Sequence, residues 1–263
     1  MQDIDPLLII QPLVYVVVSA GLILYWRLRR TFRGAVLVLA LVAYAGAIAL
    51  KEAVQALTLG SVTSAFGAAS VQTGLYFGVQ TSAFEVGLAY VVARYAVSRR
   101  SITGADAEAY GISLAFWENG VLLGALSLLS VSLTYVLIAQ GLIPQSAYQQ
   151  IVAADPALFY PPSRLAAPVA LGVLERVSSL LLHLSWGYLC VLAAYLRRRA
   201  YLMAALPMGL VDATVPFAQE VPLWEYEGAL FALSLAVFLA TWTVTGPDRR
   251  AGYAAPPPAP PSS

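Results

Sequence analysis

Residues 7–26 read LLIIQPLVYVVVSAGLILYW, twenty positions without a charge. At 1.5 Å per residue a helix of that length is about 30 Å long, the thickness of a bilayer's hydrocarbon core. Asp3 and Asp5 precede the run, and Arg27, Arg29, Arg30 and Arg33 follow it. A secretory leader has the reverse order, with basic residues first, a shorter apolar stretch and a small-residue cleavage site. The run therefore reads as a retained transmembrane helix.

The same signature recurs. Further candidate spans lie at about 35–57, 69–96, 109–139, 166–196, 200–218 and 225–245, the fourth and fifth long enough to tilt or break. Gly60 to Gly67 reads as a turn or short re-entrant piece. Gln140 to Pro168 reads as the one sizeable loop, broken by Pro144, Pro156, Pro161 and Pro162. The expected organisation is one transmembrane helical domain over 1–245 and a disordered, Pro-rich cytosolic tail over 246–263. Composition agrees: 60% of the 263 residues are hydrophobic and 11% charged, against roughly 25% charged in soluble domains. Cys190 is the only cysteine, so no internal disulfide forms, and a net charge of +1 gives no footing for nucleic acid.

Charge placement tests the span count, because cytosolic loops are enriched in Lys and Arg. Arginines follow the first span, Arg94, Arg99 and Arg100 end the third, Arg197 to Arg199 end the fifth, and Arg249 and Arg250 follow the seventh. The alternate loops carry Asp155, Glu220, Glu225 and Glu227 instead. Seven spans, with the N-terminus outside and the C-terminus in the cytosol, satisfy all four clusters. The expected fold is an all-α polytopic bundle in the cell membrane, with lipid as its first partner.

An ionisable side chain inside a span is costly and marks a functional site by default. Glu85, Glu118, His183 and Asp212 are in this class. Each lies nine to fourteen residues from its cytosolic flank, a depth of roughly 14–21 Å. Three carboxylates and the only histidine thus share a level on four helices. Glu175 and Arg176 form a shallower pair, and Glu175 lies eight residues before His183, on the same helix face. The plainer alternatives are carboxylates that glue helices by hydrogen bonds, a histidine satisfied in the core, and Arg176 as an ion-pair partner. Lys51, the only lysine, is expected to pair with Glu52 at the outer end of the second span, without function. A multi-histidine metal centre is impossible with one His. No cofactor is expected, although one His with carboxylates leaves room for a single divalent metal. Cys190 lacks an activator, and the seventh span lacks the lysine a retinal Schiff base needs.

Several segments resemble the YhfC family of glutamic-type intramembrane proteases, related to the CAAX-protease and bacteriocin-processing group. Phe84-Glu85-Val86-Gly87-Leu88-Ala89-Tyr90 is similar to the family's paired-glutamate segment, and Gly111 to Glu118 to its glycine- and histidine-containing segment ending in glutamate. Glu175-Arg176 followed by His183 keeps the Glu-Arg-then-His spacing, and Ala205 to Asp212 is similar to the terminal segment ending in aspartate. This chain departs from the pattern at Val86, Leu88-Ala89, Leu114 and Met208, where a second glutamate, an arginine and two histidines are expected. The resemblance implies peptide hydrolysis in the membrane, with Glu85 or Glu118 as general base, His183 as oxyanion or water-positioning group and Asp212 as its orienting partner. The substrates implied are transmembrane segments of other proteins. Two other readings stay open: a non-catalytic relative that binds transmembrane helices or lipid, and a proton-coupled transporter. The second lacks the internal repeat common in transporters.

Overall fold

The computed structural model describes residues 5–29, 33–154, 156–218 and 220–248. Asp3, Arg30, Asp155, Arg249, Arg250 and the expected tail from residue 249 onward lie outside the described residues. Among the described residues, seven helices are long and apolar enough to cross a membrane: span 1 (Leu7–Arg29), span 2 (Gly34–Phe66), span 3 (Val71–Ser98), span 4 (Gly104–Ala139), span 5 (Pro162–Tyr195), span 6 (Arg199–Phe217) and span 7 (Leu223–Val244). The described residues contain no strand. The chain is a multi-pass membrane protein.

Two expectations need correction. Span 2 does not turn at Gly60; it continues to Phe66, and the break is at Gly67, whose φ of +88° is a left-handed value that favours glycine. Polar Thr58, Ser61, Thr63 and Ser64 lower the hydropathy there without ending the helix, and Thr58 and Thr63 return their hydroxyls to the carbonyls of Val54 and Leu59. The stretch 140–168 is also more ordered than a loop. It contains a helix at Gln145–Ala154 and a 3-10 turn at Pro156–Phe159, and Pro162 opens span 5. Proline suits the first helical position, where its missing N–H has no partner to lose.

Span 5 is the central helix. It packs on spans 1, 3, 4, 6 and 7, while span 3 also packs on span 6 and span 1 on span 4. Lipid supplies no hydrophobic drive between helices, so close packing of small residues must hold them. Gly111 of span 4 meets Gly187 of span 5. A Cβ on Gly111 would sit 2.6 Å from the Leu184 carbonyl oxygen, and one on Gly187 would sit 2.6 Å from the Gly111 Cα. Spans 3 and 6 approach equally closely, since a Cβ on Gly209 would lie 2.5 Å from the Ser82 nitrogen. Leu28, Leu57 and Val244, at least 70% exposed, face outward as lipid contacts should.

The larger cluster of buried apolar residues, with Tyr110, Leu192, Cys190 and Trp186, lies toward the end that carries Arg94 and Arg197. Above it the helices part around a cavity. Three of the carboxylates that line it sit on helix that is not α. Glu85 lies in a π-helical segment, Thr81–Val86, and Glu118 in another, Phe116–Ala125. Asp212 lies in a twelve-residue 3-10 segment, Leu206–Phe217. Such π segments are rare and often occur at functional sites, and 3-10 runs beyond four residues are uncommon.

Candidate metal centre

The cavity holds about 260 Å³. Its charged wall is formed by Lys51, Glu85, Glu118, Glu175, Arg176, His183 and Asp212, and its apolar wall includes Ile48, Leu122, Leu123, Val211, Val215 and Leu230.

His183 is the most buried of the ionisable groups in this wall, its side chain 4% exposed. It lies on regular α-helix, one turn after Ser179, and its Nδ1 is 2.9 Å from the Ser179 carbonyl oxygen. A carbonyl only accepts, so Nδ1–H is the donor. Nε2 lies 2.8 Å from Glu118 Oε2 and 3.7 Å from Glu85 Oε2, an ion-pair distance from each carboxylate when the ring is protonated. A neutral ring with Nδ1–H turns a lone pair on Nε2 toward the same two carboxylates instead. The Trp186 ring, 4.2 Å away between centroids, and the edge of Tyr44 fix its plane.

Glu118 is anchored through its neighbours. The Trp117 indole donates to the Leu37 carbonyl of span 2 at 2.9 Å, and the Asn119 amide donates to the Arg176 carbonyl of span 5 at 3.3 Å. Arg176 Nη1 donates to Glu118 Oε1 at 3.2 Å, and Nη2 pairs with Glu175. Glu118 Oε2 is thus left facing His183. On the opposite side Lys51 Nζ donates to Glu85 Oε1 at 2.6 Å, to Thr81 Oγ1 at 2.8 Å and to Asp212 Oδ2 at 3.3 Å, and Thr81 also donates to Asp212.

The structure brings Glu85, Glu118 and His183 together, with Glu175 and Arg176 joined through Glu118. Asp212 reaches the same cavity but meets Lys51 and Thr81, not His183. The expected Lys51–Glu52 pair is overturned: span 2 runs to Phe66, so Lys51 is mid-helix and turned inward, while Glu52 is exposed. Sequence reasoning missed Lys51, Thr81 and Ser179. The signal was there, in a lone lysine within an apolar run and in hydroxyls four residues before Glu85 and His183.

A family model described as YhfC intramembrane metalloprotease matches residues 14–220. The chain belongs to the YhfC family. A search of curated proteins and one of solved structures returned no match. The family's description gives no support to the expectation of no cofactor, and the donor set fits a metal. One ligand atom each from Glu85, Glu118 and His183 lies within 4.8 Å of the others. Tetrahedral ligands at about 2.0–2.1 Å from zinc stand about 3.4 Å apart, and the separations from His183 Nε2, 2.8 and 3.7 Å, straddle that value. A metal-ligating His commonly donates its other N–H to a carbonyl, as Nδ1 does here. Among the described groups lining the cavity, four carboxylates face two cations, a surplus that a divalent ion would balance.

Proposed function

We propose that this YhfC-family protein is a metal-dependent intramembrane endopeptidase, with Glu85, Glu118 and His183 as the ligands of one divalent ion. The observation that carries the reading is the convergence of one ligand atom each from Glu85, Glu118 and His183 within 4.8 Å of one another. Two carboxylates and an imidazole nitrogen this close in a low dielectric need a proton or a cation between them. A bound divalent ion would supply Lewis-acid polarisation of a peptide carbonyl and make water more acidic.

The chain's own groups supply the rest. Asp212 Oδ2 is held by Thr81 and Lys51, which leaves Oδ1 to take a proton from water. The water oxygen bonds to the carbonyl carbon, the C–N bond breaks, and the proton passes to the departing amine nitrogen. Arg176 holds Glu118 in place through Oε1. The apolar wall of Leu122, Leu123, Val215 and Leu230 suits a transmembrane segment of another protein, whose unwound peptide bond would meet the charged wall.

The test is purified protein in liposomes with a single-span reporter peptide. The expected result is about one divalent ion per chain, lost in Glu118→Gln and His183→Ala, with hydrolysis following the metal. Full hydrolysis after complete metal removal would overturn the metal reading and restore Glu85 or Glu118 as a metal-free general base. Metal uptake with no hydrolysis of any membrane peptide would favour a non-catalytic relative.

A further inference from the structure

Lys51 is the chain's only lysine, and it is buried in the bundle with its side chain 13% exposed. An ammonium has three N–H donors, and all three are used, on Glu85 Oε1, Thr81 Oγ1 and Asp212 Oδ2. The acceptors come from spans 3 and 6, both carrying them on non-α helix, whereas Lys51 comes from regular helix of span 2. One cation therefore ties the two irregular segments to a rigid one. It also divides Glu85: Oε1 is occupied by the ammonium, and Oε2 is the oxygen nearer His183.

We propose that Lys51 is a positioning residue that limits Glu85 to one oxygen at the metal site and offsets the charge of Asp212. The inference rests on the metal reading above. It has a consequence that a purely structural lysine would not have. Removing the positive charge leaves a more anionic pocket with a freer Glu85, so the site holds a divalent cation more tightly and aligns it less well.

The experiment compares wild type, Lys51→Met and Lys51→Arg in Zn²⁺ titration, hydrolysis and metal-free melting. Lys51→Met is expected to bind Zn²⁺ at least about tenfold more tightly, because a like charge beside the ion is gone. Its kcat is expected to fall at least about tenfold while KM moves less than about threefold, as when an interaction made at the reacting geometry is lost. Lys51→Arg keeps the charge and should restore both values toward wild type. In metal-free protein, Lys51→Met should melt below wild type, and adding Glu85→Gln should recover the loss, because the unpaired carboxylate is removed. Unchanged or weaker Zn²⁺ binding in Lys51→Met, where wild type binds, overturns the inference. If neither protein takes up metal, the metal reading fails, and the melting series decides Lys51 by itself: recovery upholds the tie to Glu85, and no recovery overturns it.

Discussion

Glu85 and Glu118 approach the same imidazole nitrogen from two different helices, and each sits on a π-helical segment. An α-helix repeats every 3.6 residues, so its facing side chains are fixed once the helix is packed. A wider turn shifts the register within one helix, and the residues before and after it then present different faces. Span 4 uses this directly. Gly111, before the π segment, packs on span 5, while Glu118, inside it, enters the cavity.

His183 is oriented by a backbone carbonyl, and this distinguishes two roles for Ser179. The Ser179 hydroxyl is 3.2 Å from His183 Nδ1 and 3.4 Å from Glu118 Oε1, both longer than the 2.9 Å from Nδ1 to the Ser179 carbonyl oxygen. Ser179→Ala keeps the carbonyl. It should change metal affinity by less than about threefold, well below the 10–100-fold typical of losing a ligand's orienting partner. A loss near 100-fold on titration would make the hydroxyl, not the carbonyl, the orienting group.

Arg176 stands between Glu118 and Glu175, its side chain 15% exposed. Arg176→Met should leave two carboxylates without their cation and destabilise the protein by about 3 kcal/mol, the scale for breaking a buried pair from one side. Adding Glu175→Gln should return part of that. Thermal melting of the single and double variants in the metal-free state checks it, and equal melting of wild type and Arg176→Met would reduce the pair to a surface contact.

Gly187 packs against Gly111 where spans 4 and 5 meet. Gly187→Ala places a methyl 2.6 Å from the Gly111 Cα, so spans 4 and 5 must part. The expected cost is about 1–3 kcal/mol for overpacking, together with weaker metal binding, because Glu118 and His183 ride on those two helices. Gly228→Ala in span 7 is the control. Its Cβ meets nothing within 4 Å, and alanine is about 1 kcal/mol the better helix former. A Gly187→Ala protein that melts like wild type would mean that the two helices can separate freely.

The spans and the level of the acids were legible in the sequence because both signals are strong in lipid: twenty apolar residues are needed to cross, and a charge inside them is rare. Glu85, Glu118 and His183 could therefore be placed together without any structure. Their register could not. Nothing in Thr81–Val86 or Phe116–Ala125 announces a π turn, which depends on how the neighbouring helices pack. Lys51 was hidden for another reason. Glu52 beside it offered an obvious partner, and the polar residues after Leu57 suggested that span 2 had ended.

The arrangement of the arginines also makes a prediction about the membrane itself. Because positive charge is retained on the cytosolic side, the loop around Arg99, Arg100 and Ser101 is expected in the cytosol and the stretch around Ser146 outside. Ser101 and Ser146 are both exposed, and Cys190, the only native thiol, is fully buried, so background labelling is low. In intact cells a membrane-impermeant maleimide should label Ser146→Cys and leave Ser101→Cys unlabelled until the membrane is opened. The reverse pattern would invert the topology and place the Lys51 side of the cavity toward the cytosol. Labelling of both sites in intact cells would mean that the count of seven crossings is wrong, because Ser101 and Ser146 are separated by span 4 alone.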